Sequence, residues 1–382
     1  MKISMKTLSL ILISTVVLFT ACKKDDKDNT IGAIELTGEQ NTPLILENRF
    51  ESLTTPDYVV TGSYTITAAV SIQPGTVIVM KPGAQIVIEG SGSLKSIGTA
   101  ELPIRFTGES KVAGSWNKLL FKSNNSNNQL IHTIVEHGGG DNSYNASVYC
   151  YLNGRLRMNH LTVRNGRNYG VLVYSNDFVV DQFANVLIHN TQLAPVKVQA
   201  QQFGIFDETF VAHSNGFNRI EIEHDVITLN TTVNKTTVPY FIRSGFIDVQ
   251  ADLSLNPGVN LIMGPNTGFS ILSNGSFKAI GTALENISII GEQALNGYWN
   301  NIRFTNSFSL NNEMQYCTIS HGGNDNSWNG MIYLYANSRV RIGNSTISNS
   351  QTYGILNYTN SSTLIDDGNN IFSNNTSGDI GN

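Results

Sequence analysis

Apolar and polar residues alternate along most of this chain. Ile86 and Ile88 flank Val87, Leu119 and Phe121 flank Leu120, and Val148 and Cys150 flank Tyr149. A period of two is the signature of a strand with one face in a core. The runs are ~3–5 residues long and recur about every ten residues or fewer, broken by Gly, Asn, Ser and Pro-Gly turns. No window keeps a 3.6-residue apolar period, so the pattern predicts many short strands and no substantial helix.

The chain also repeats itself. His137-Gly138-Gly139-Gly140-Asp141-Asn142-Ser143-Tyr144-Asn145 returns as His321-Gly322-Gly323-Asn324-Asp325-Asn326-Ser327-Trp328-Asn329. Gln73-Pro74-Gly75 answers Asn256-Pro257-Gly258, and Trp116-Asn117 answers Trp299-Asn300, at an offset of 183 that grows to 184 before the His-Gly-Gly segment. Comparing the copies separates inside from outside. Ile86 and Ile88 pair with Phe269 and Ile271 while Val87 becomes Ser270; Leu119 and Phe121 pair with Ile302 and Phe304 while Leu120 becomes Arg303. Every second position stays apolar and its neighbour is free to turn polar.

Strands this short cannot bury a face alone, whereas stacked coils share one continuous core. The runs Ser71-Ile72-Gln73-Pro74-Gly75-Thr76-Val77-Ile78, Gly92-Ser93-Leu94-Lys95-Ser96-Ile97-Gly98-Thr99 and Pro103-Ile104-Arg105-Phe106-Thr107, with their second-copy counterparts, resemble the bacterial right-handed parallel β-helix repeat proteins of the pectin-lyase-like class. The expected fold is therefore all-β: a single-stranded right-handed parallel β-helix (β-solenoid) built from two tandem copies, residues 51–200 and 201–382. Alternation continues through the join at Val196/Val198, Ile220/Ile222 and Ile227/Leu229, so one unbroken solenoid is expected. After Ile371-Phe372 no cap is evident; either residues 376–382 fold across the coil end or something else covers that sheet edge.

The N-terminus reads as a targeting segment. Lys2 and Lys6 form a basic region, Leu8 to Phe19 an apolar one, and Thr20-Ala21 lead into Cys22. This is a secretory signal, too short to span a membrane. Its junction resembles the lipobox of bacterial lipoproteins, with Phe19 departing from the usual Leu. The resemblance implies a signal peptide over 1–21, lipidation of Cys22, a lipidated tether and N-terminal cap over 22–50, and the membrane as partner through that anchor. Lys23-Lys24-Asp25-Asp26-Lys27 resembles the export signal of surface lipoproteins and implies an outer-membrane anchor facing the cell exterior rather than the periplasm.

Composition narrows the functions. The formal charge of −5 becomes −7 once Lys2 and Lys6 leave with the signal, and there is no basic run, which excludes ordinary nucleic-acid binding. Cys150 and Cys317 correspond to Leu334 and Thr133, so neither copy keeps a cysteine pair and both read as small buried hydrophobes. Hydrolase runs of paired Asp with Gly-His-Gly, His-Glu-x-x-His, Gly-x-Ser-x-Gly and Gly-x-Gly-x-x-Gly are all missing; Asp366-Asp367-Gly368 is the nearest echo and stands alone. No catalytic residue and no cofactor is assigned, and the reading leans away from an enzyme.

Two groups remain as candidates. Glu221, Glu223 and Asp225 alternate on one strand and could hold Ca²⁺, or form a solvated outer strand beside Arg219. The larger group follows the repeated loop. Tyr144 and Trp328 share one loop position. With Val148/Ile332 and Cys150/Leu334 inward, Tyr149, Tyr151, Tyr333 and Tyr335 face outward, as do Arg155, Arg157, Arg339 and Arg341. Rings offer apolar area with a polar tip and Arg offers bidentate recognition of carboxylate or sulfate, so a polysaccharide, and an anionic one, suits these residues. The competing reading makes the His-Gly-Gly loop a structural turn and the rings cross-strand decoration. Trp116 and Trp299 read as packing residues. The expected function is a surface-exposed carbohydrate- or partner-binding module, gaining avidity from two like sites on one rod. The alternatives are a polysaccharide lyase or glycoside hydrolase of the same fold, and a structural or adhesive spacer.

Overall fold

A computed structural model describes residues 32–143, 145–325 and 327–382; the segment read as a signal peptide, Cys22 and Tyr144 lie outside these. The strands pair in parallel and stack as a β-solenoid of about 14 turns, with 48% strand and 2% helix. Ala33–Asn382 forms one compact unit. Its one short 3₁₀ helix among the described residues is Ala200–Ile205.

Coils stack in register, so like positions meet like. Ile78, Phe106, Val135, Val163 and Ile188 form one inward column across successive coils, and each is fully buried. The outward column beside it is Val79, Thr107, Glu136, Arg164 and His189. In-register parallel pairing converts the alternation of the sequence into a largely apolar interior and a variable exterior. Cys150 and Cys317 are both buried and free. Burial pushes both thiols up, Cys317 to about 12, so neither is a reactive thiolate at neutral pH.

The corners explain the abundance of asparagine. Asn165, Asn190, Asn344, Asn369, Asn349 and Asn374 all adopt left-handed backbone, with φ between 50° and 58°. Asn tolerates this conformation better than other residues with a side chain. Stacking then places one amide above the next: Asn190 donates to Asn165 at 3.2 Å, Asn369 to Asn344 at 3.2 Å and Asn374 to Asn349 at 3.3 Å.

The sheet runs through the join. Val171, Val196, Ile220, Tyr240 and Leu261 lie in one register column that carries on to Ile289, Ile319 and Ile347. The coils Ile220–Tyr240 and Tyr240–Leu261 are shorter than those on either side. There the strands divide differently: Val226–Ile227 and Thr231–Val233 found two further sheets of seven and six strands. At the far end, residues 376–382 do not fold across the coil. Gly378–Gly381 pairs with Tyr353–Asn357 and extends the seven-stranded sheet.

Acid is expected to destabilise this fold. Burial is the leading cause that holds His137, His189 and His321 below the ordinary histidine range. Glu136 is pushed up by burial, but hydrogen bonds from Thr107 and Arg164 and the charges of Arg164 and Arg105 outweigh this and hold it low. Glu223 behaves alike, with Lys197, Ser244 and Arg243 outweighing burial. In every case the unfolded chain binds more protons over the titration window, so stability is lost as pH falls. The histidine loss begins as pH drops through the ordinary histidine range near 6.5, and the carboxylate loss follows below about 4.5. Urea midpoints measured from pH 8 to pH 4 should decline in that order; a midpoint that rises on acidification would contradict the assignment.

Candidate binding surface

The repeated loop begins from a packed tryptophan. Trp116 and Trp299 are fully buried. Each indole Nε1 donates to a backbone carbonyl, that of Glu136 at 2.9 Å and that of Ser320 at 2.7 Å. The indole also dictates the glycine after the histidine. A Cβ on Gly138 would lie 3.0 Å from the Trp116 ring, and one on Gly322 would lie 2.7 Å from that of Trp299. His137 and His321 share φ of 67°, and Gly139 and Gly323 have φ of 83° and 86°. The next coil holds both loops down: Asn168 donates to the carbonyl of Gly139 at 2.6 Å, and Thr352 to that of Gly323 at 3.2 Å. His-Gly-Gly is therefore a packing device, and Trp116 and Trp299 are its anchors.

Beyond the loop the chain enters Ala146–Cys150 in the first copy and Gly330–Tyr335 in the second. Tyr149 faces away from the main core, in the outward column Val87, Leu120, Tyr149, Leu172. It is nonetheless only 3% exposed, because this column forms a small apolar cluster of its own with Ala146, Tyr169 and Ala194. Tyr333 is likewise outward yet 2% exposed. Outward orientation and accessibility are thus different properties here. Burial, with smaller contributions from Tyr358, Tyr335 and Asp325, pushes the Tyr333 phenol up to about 12, so it stays neutral.

Tyr151 and Tyr335 are half-buried, and the most exposed rings belong to residues that the alternation did not single out. Tyr174 and Tyr358 follow the next strand of each copy, at the same offset of 184, and are 54% and 60% exposed. Tyr174 stacks on Tyr149 with centroids 6.2 Å apart and planes at 26°; Tyr358 stacks on Tyr333 at 5.8 Å and 26°. Tyr174 also meets Tyr151 at 5.7 Å, as Tyr358 meets Tyr335 at 6.1 Å. In the second copy half-buried Trp328 stands edge-on to Tyr333 at 4.9 Å and to Tyr335 at 5.4 Å, with the Arg303 guanidinium 5.2 Å from its ring. Trp328 is a wall of the cluster rather than an exposed tip. The offset of the repeat was the signal that could have found Tyr174 and Tyr358.

The arginines lie on other strand ladders than the tyrosines: Arg155–Arg164 pairs with Gln129–Glu136 and Val179–Ala184, and Ala146–Cys150 with Leu119–Phe121 and Tyr169–Val173. Arg339 and Arg341 lie in the six-stranded sheet, whereas Tyr333 and Tyr335 lie in the seven-stranded one. Arg341 pairs with Asp367 at 2.5 Å, and Arg155 pairs with Asp181 at 3.6 Å. Arg157 is exposed on the same strand as Arg155. Two of the four guanidiniums thus already have carboxylate partners from the next coil.

The acidic triplet does not form a cation site. Glu221 is 1% exposed. Its Oε2 accepts from Arg243 at 2.7 Å and from the Tyr169 hydroxyl at 2.9 Å, and its Oε1 accepts from Arg219 at 3.2 Å. Glu223 pairs with Lys197 and Arg243, while Asp225 turns to the backbone N–H of Val226 at 2.8 Å. Glu221 and Glu223 are thus engaged by cationic side chains and hydroxyls, and Asp225 Oδ1 by backbone. Among the described residues no group of three His, Cys, Asp or Glu is placed to hold a metal.

The other buried carboxylates are structural too. Asp57 accepts from the backbone N–H of Arg49, Phe50 and Val77, and Glu136 accepts from Arg164 at 2.7 Å. Fold and surface together define a parallel β-solenoid carrying duplicated outward aromatic clusters. No known protein-family model matches the chain, and neither a curated protein nor a solved structure matches it.

Proposed function

We propose that this protein is a non-enzymatic, surface-displayed lipoprotein whose β-solenoid binds carbohydrate through its two aromatic clusters. The observation that carries the reading is the recurrence of one geometry. A half-exposed tyrosine is stacked at 26° on a buried outward tyrosine in both copies, although the surroundings differ, with Leu120 in one and Arg303 in the other. A buried ring backed by a rigid sheet holds the exposed ring at little entropic cost, which favours binding of a flat apolar face. The ion pairs of Arg155 and Arg341 shift the favoured ligand from an anionic polymer to the C–H faces of neutral sugars. The engagement of Asp57, Glu136 and Glu221 in structural bonds favours a binder over a lyase or hydrolase, whose carboxylates must be left available to a substrate. The lipid anchor rests on the segment ending at Cys22, and loss of palmitate labelling in Cys22→Ser tests it.

The binding test uses residues 23–382, which contain the whole compact unit. Native gels cast with hydroxyethylcellulose, galactomannan or polygalacturonate should retard this protein in a neutral polymer. Tyr174→Ala with Tyr358→Ala should weaken retardation tenfold or more, a loss of about 1.4 kcal/mol. Both rings are exposed, so folding is spared. Equal retardation of the double variant, or no retardation in any polymer, refutes the reading.

A further inference from the structure

The two aromatic clusters lie on different faces of the solenoid. Tyr149 belongs to the outward column Tyr149, Leu172, Lys197, Glu221, Phe241, Ile262, Ile290 and Ser320. That column passes unbroken into the second copy, but it does not reach Tyr333. Tyr333 stands in a separate outward column, Asp248, Ser270, Arg303, Tyr333 and Leu356, of the seven-stranded sheet. The strand Cys317–Ser320, which lies on the first cluster's face, is followed in the chain by the strand that carries Tyr333. Seven strand pairings separate Ala146–Cys150 from Cys317–Ser320, and one further side of the coil leads to Tyr333.

The sequence repeat is therefore out of phase with the coil. It advances by seven turns and about one side, so the second copy presents its tyrosines on a neighbouring face. At about 4.8 Å per turn the clusters are ~34 Å apart along the axis. Two sites raise affinity for one ligand only where geometry lets both be engaged together. A stiff chain lying along one face leaves the other cluster open to solvent, where Tyr174 and Tyr358 remain about half exposed.

Resting on the carbohydrate-binding reading above, we infer that the protein is a bridging module: each cluster takes a different polymer chain, and the rigid rod cross-links them. The ligand class is an extended neutral polysaccharide whose pyranose faces stack on the exposed tyrosines. Duplication out of phase supplies cross-linking where duplication in phase would supply avidity.

Bridging and binding separate experimentally. The 23–382 protein is mixed with hydroxyethylcellulose and with galactomannan, and light scattering is followed over a range of protein-to-polymer ratios, beside retardation in native gels. Wild type should raise scattering at least severalfold with a maximum at an intermediate ratio, because excess protein saturates every chain singly. Tyr174→Ala alone and Tyr358→Ala alone should still be retarded, within about threefold of wild type, yet give no scattering maximum. Two results overturn bridging while leaving binding intact. One is retardation of wild type without any scattering maximum. The other is a loss of tenfold or more in retardation from either single variant, which would mean that both clusters grip one chain. Absence of retardation in either polymer overturns the carbohydrate reading itself and bridging with it.

Discussion

Trp299→Ala should cost about 3–5 kcal/mol of folding stability, and the loss should be local to the second copy. The side chain is fully buried and is among the largest in the core. Its removal leaves a cavity against Gly322, a residue without a Cβ to fill it. It also leaves the carbonyl of Ser320 without the indole donor at 2.7 Å, an added desolvation cost. In a solenoid each coil touches only its neighbours, so damage spreads little along the axis. Urea unfolding supplies the magnitude. Hydrogen exchange supplies the location: faster exchange is expected around residues 300–347 and little change around residues 60–90. A loss under about 1 kcal/mol, or equal acceleration in both halves, would refute the anchor role.

Glu221→Ala is expected to cost about 3 kcal/mol, the low end of the range for breaking a buried ion pair. The carboxylate is the hub for Arg219, Arg243 and Tyr169. Deletion leaves Arg219, at 16% side-chain exposure, against the ring of Phe241 with Glu292 as its remaining ion-pair partner among the described residues. Arg243 is 43% exposed and keeps Glu223, so it regains water and softens the loss. From Tyr169 to Arg243 the hub spans four consecutive coils at the join, where strand division changes. Glu221→Gln should recover about half of the loss, because the amide still accepts one hydrogen bond. Indifference of the thermal midpoint to Glu221→Ala would show that the hub contributes nothing.

Much of the architecture was legible because a period of two is local. Inward Val148, Cys150, Ile332 and Leu334 were separable from outward Tyr149 and Tyr333 by comparing two copies alone, and all four inward residues are fully buried. The packing role of Trp116 and Trp299 was legible for the same reason. Accessibility was not. Tyr149 and Tyr333 face outward and are covered, whereas Tyr174 and Tyr358, beyond the ends of strands on the next coil, carry the exposed rings. What covers a residue is decided by a neighbour about one coil away, and coil length varies. Nor did the sequence reveal that Arg155 and Arg341 would meet Asp181 and Asp367, since those partners also come from the next coil.

The sequence by itself determined the alternating strands, the two copies, the apolar interior and the glycine-rich turns, because each follows from residues close in the chain. Only the tertiary structure decided the phase between the copies. The short coils from Ile220 to Leu261 pass the first copy's tyrosine face into a different sheet position of the second. That phase depends on which distant strands pair, a property that no local pattern encodes, and it determines whether two like clusters can serve one ligand or two.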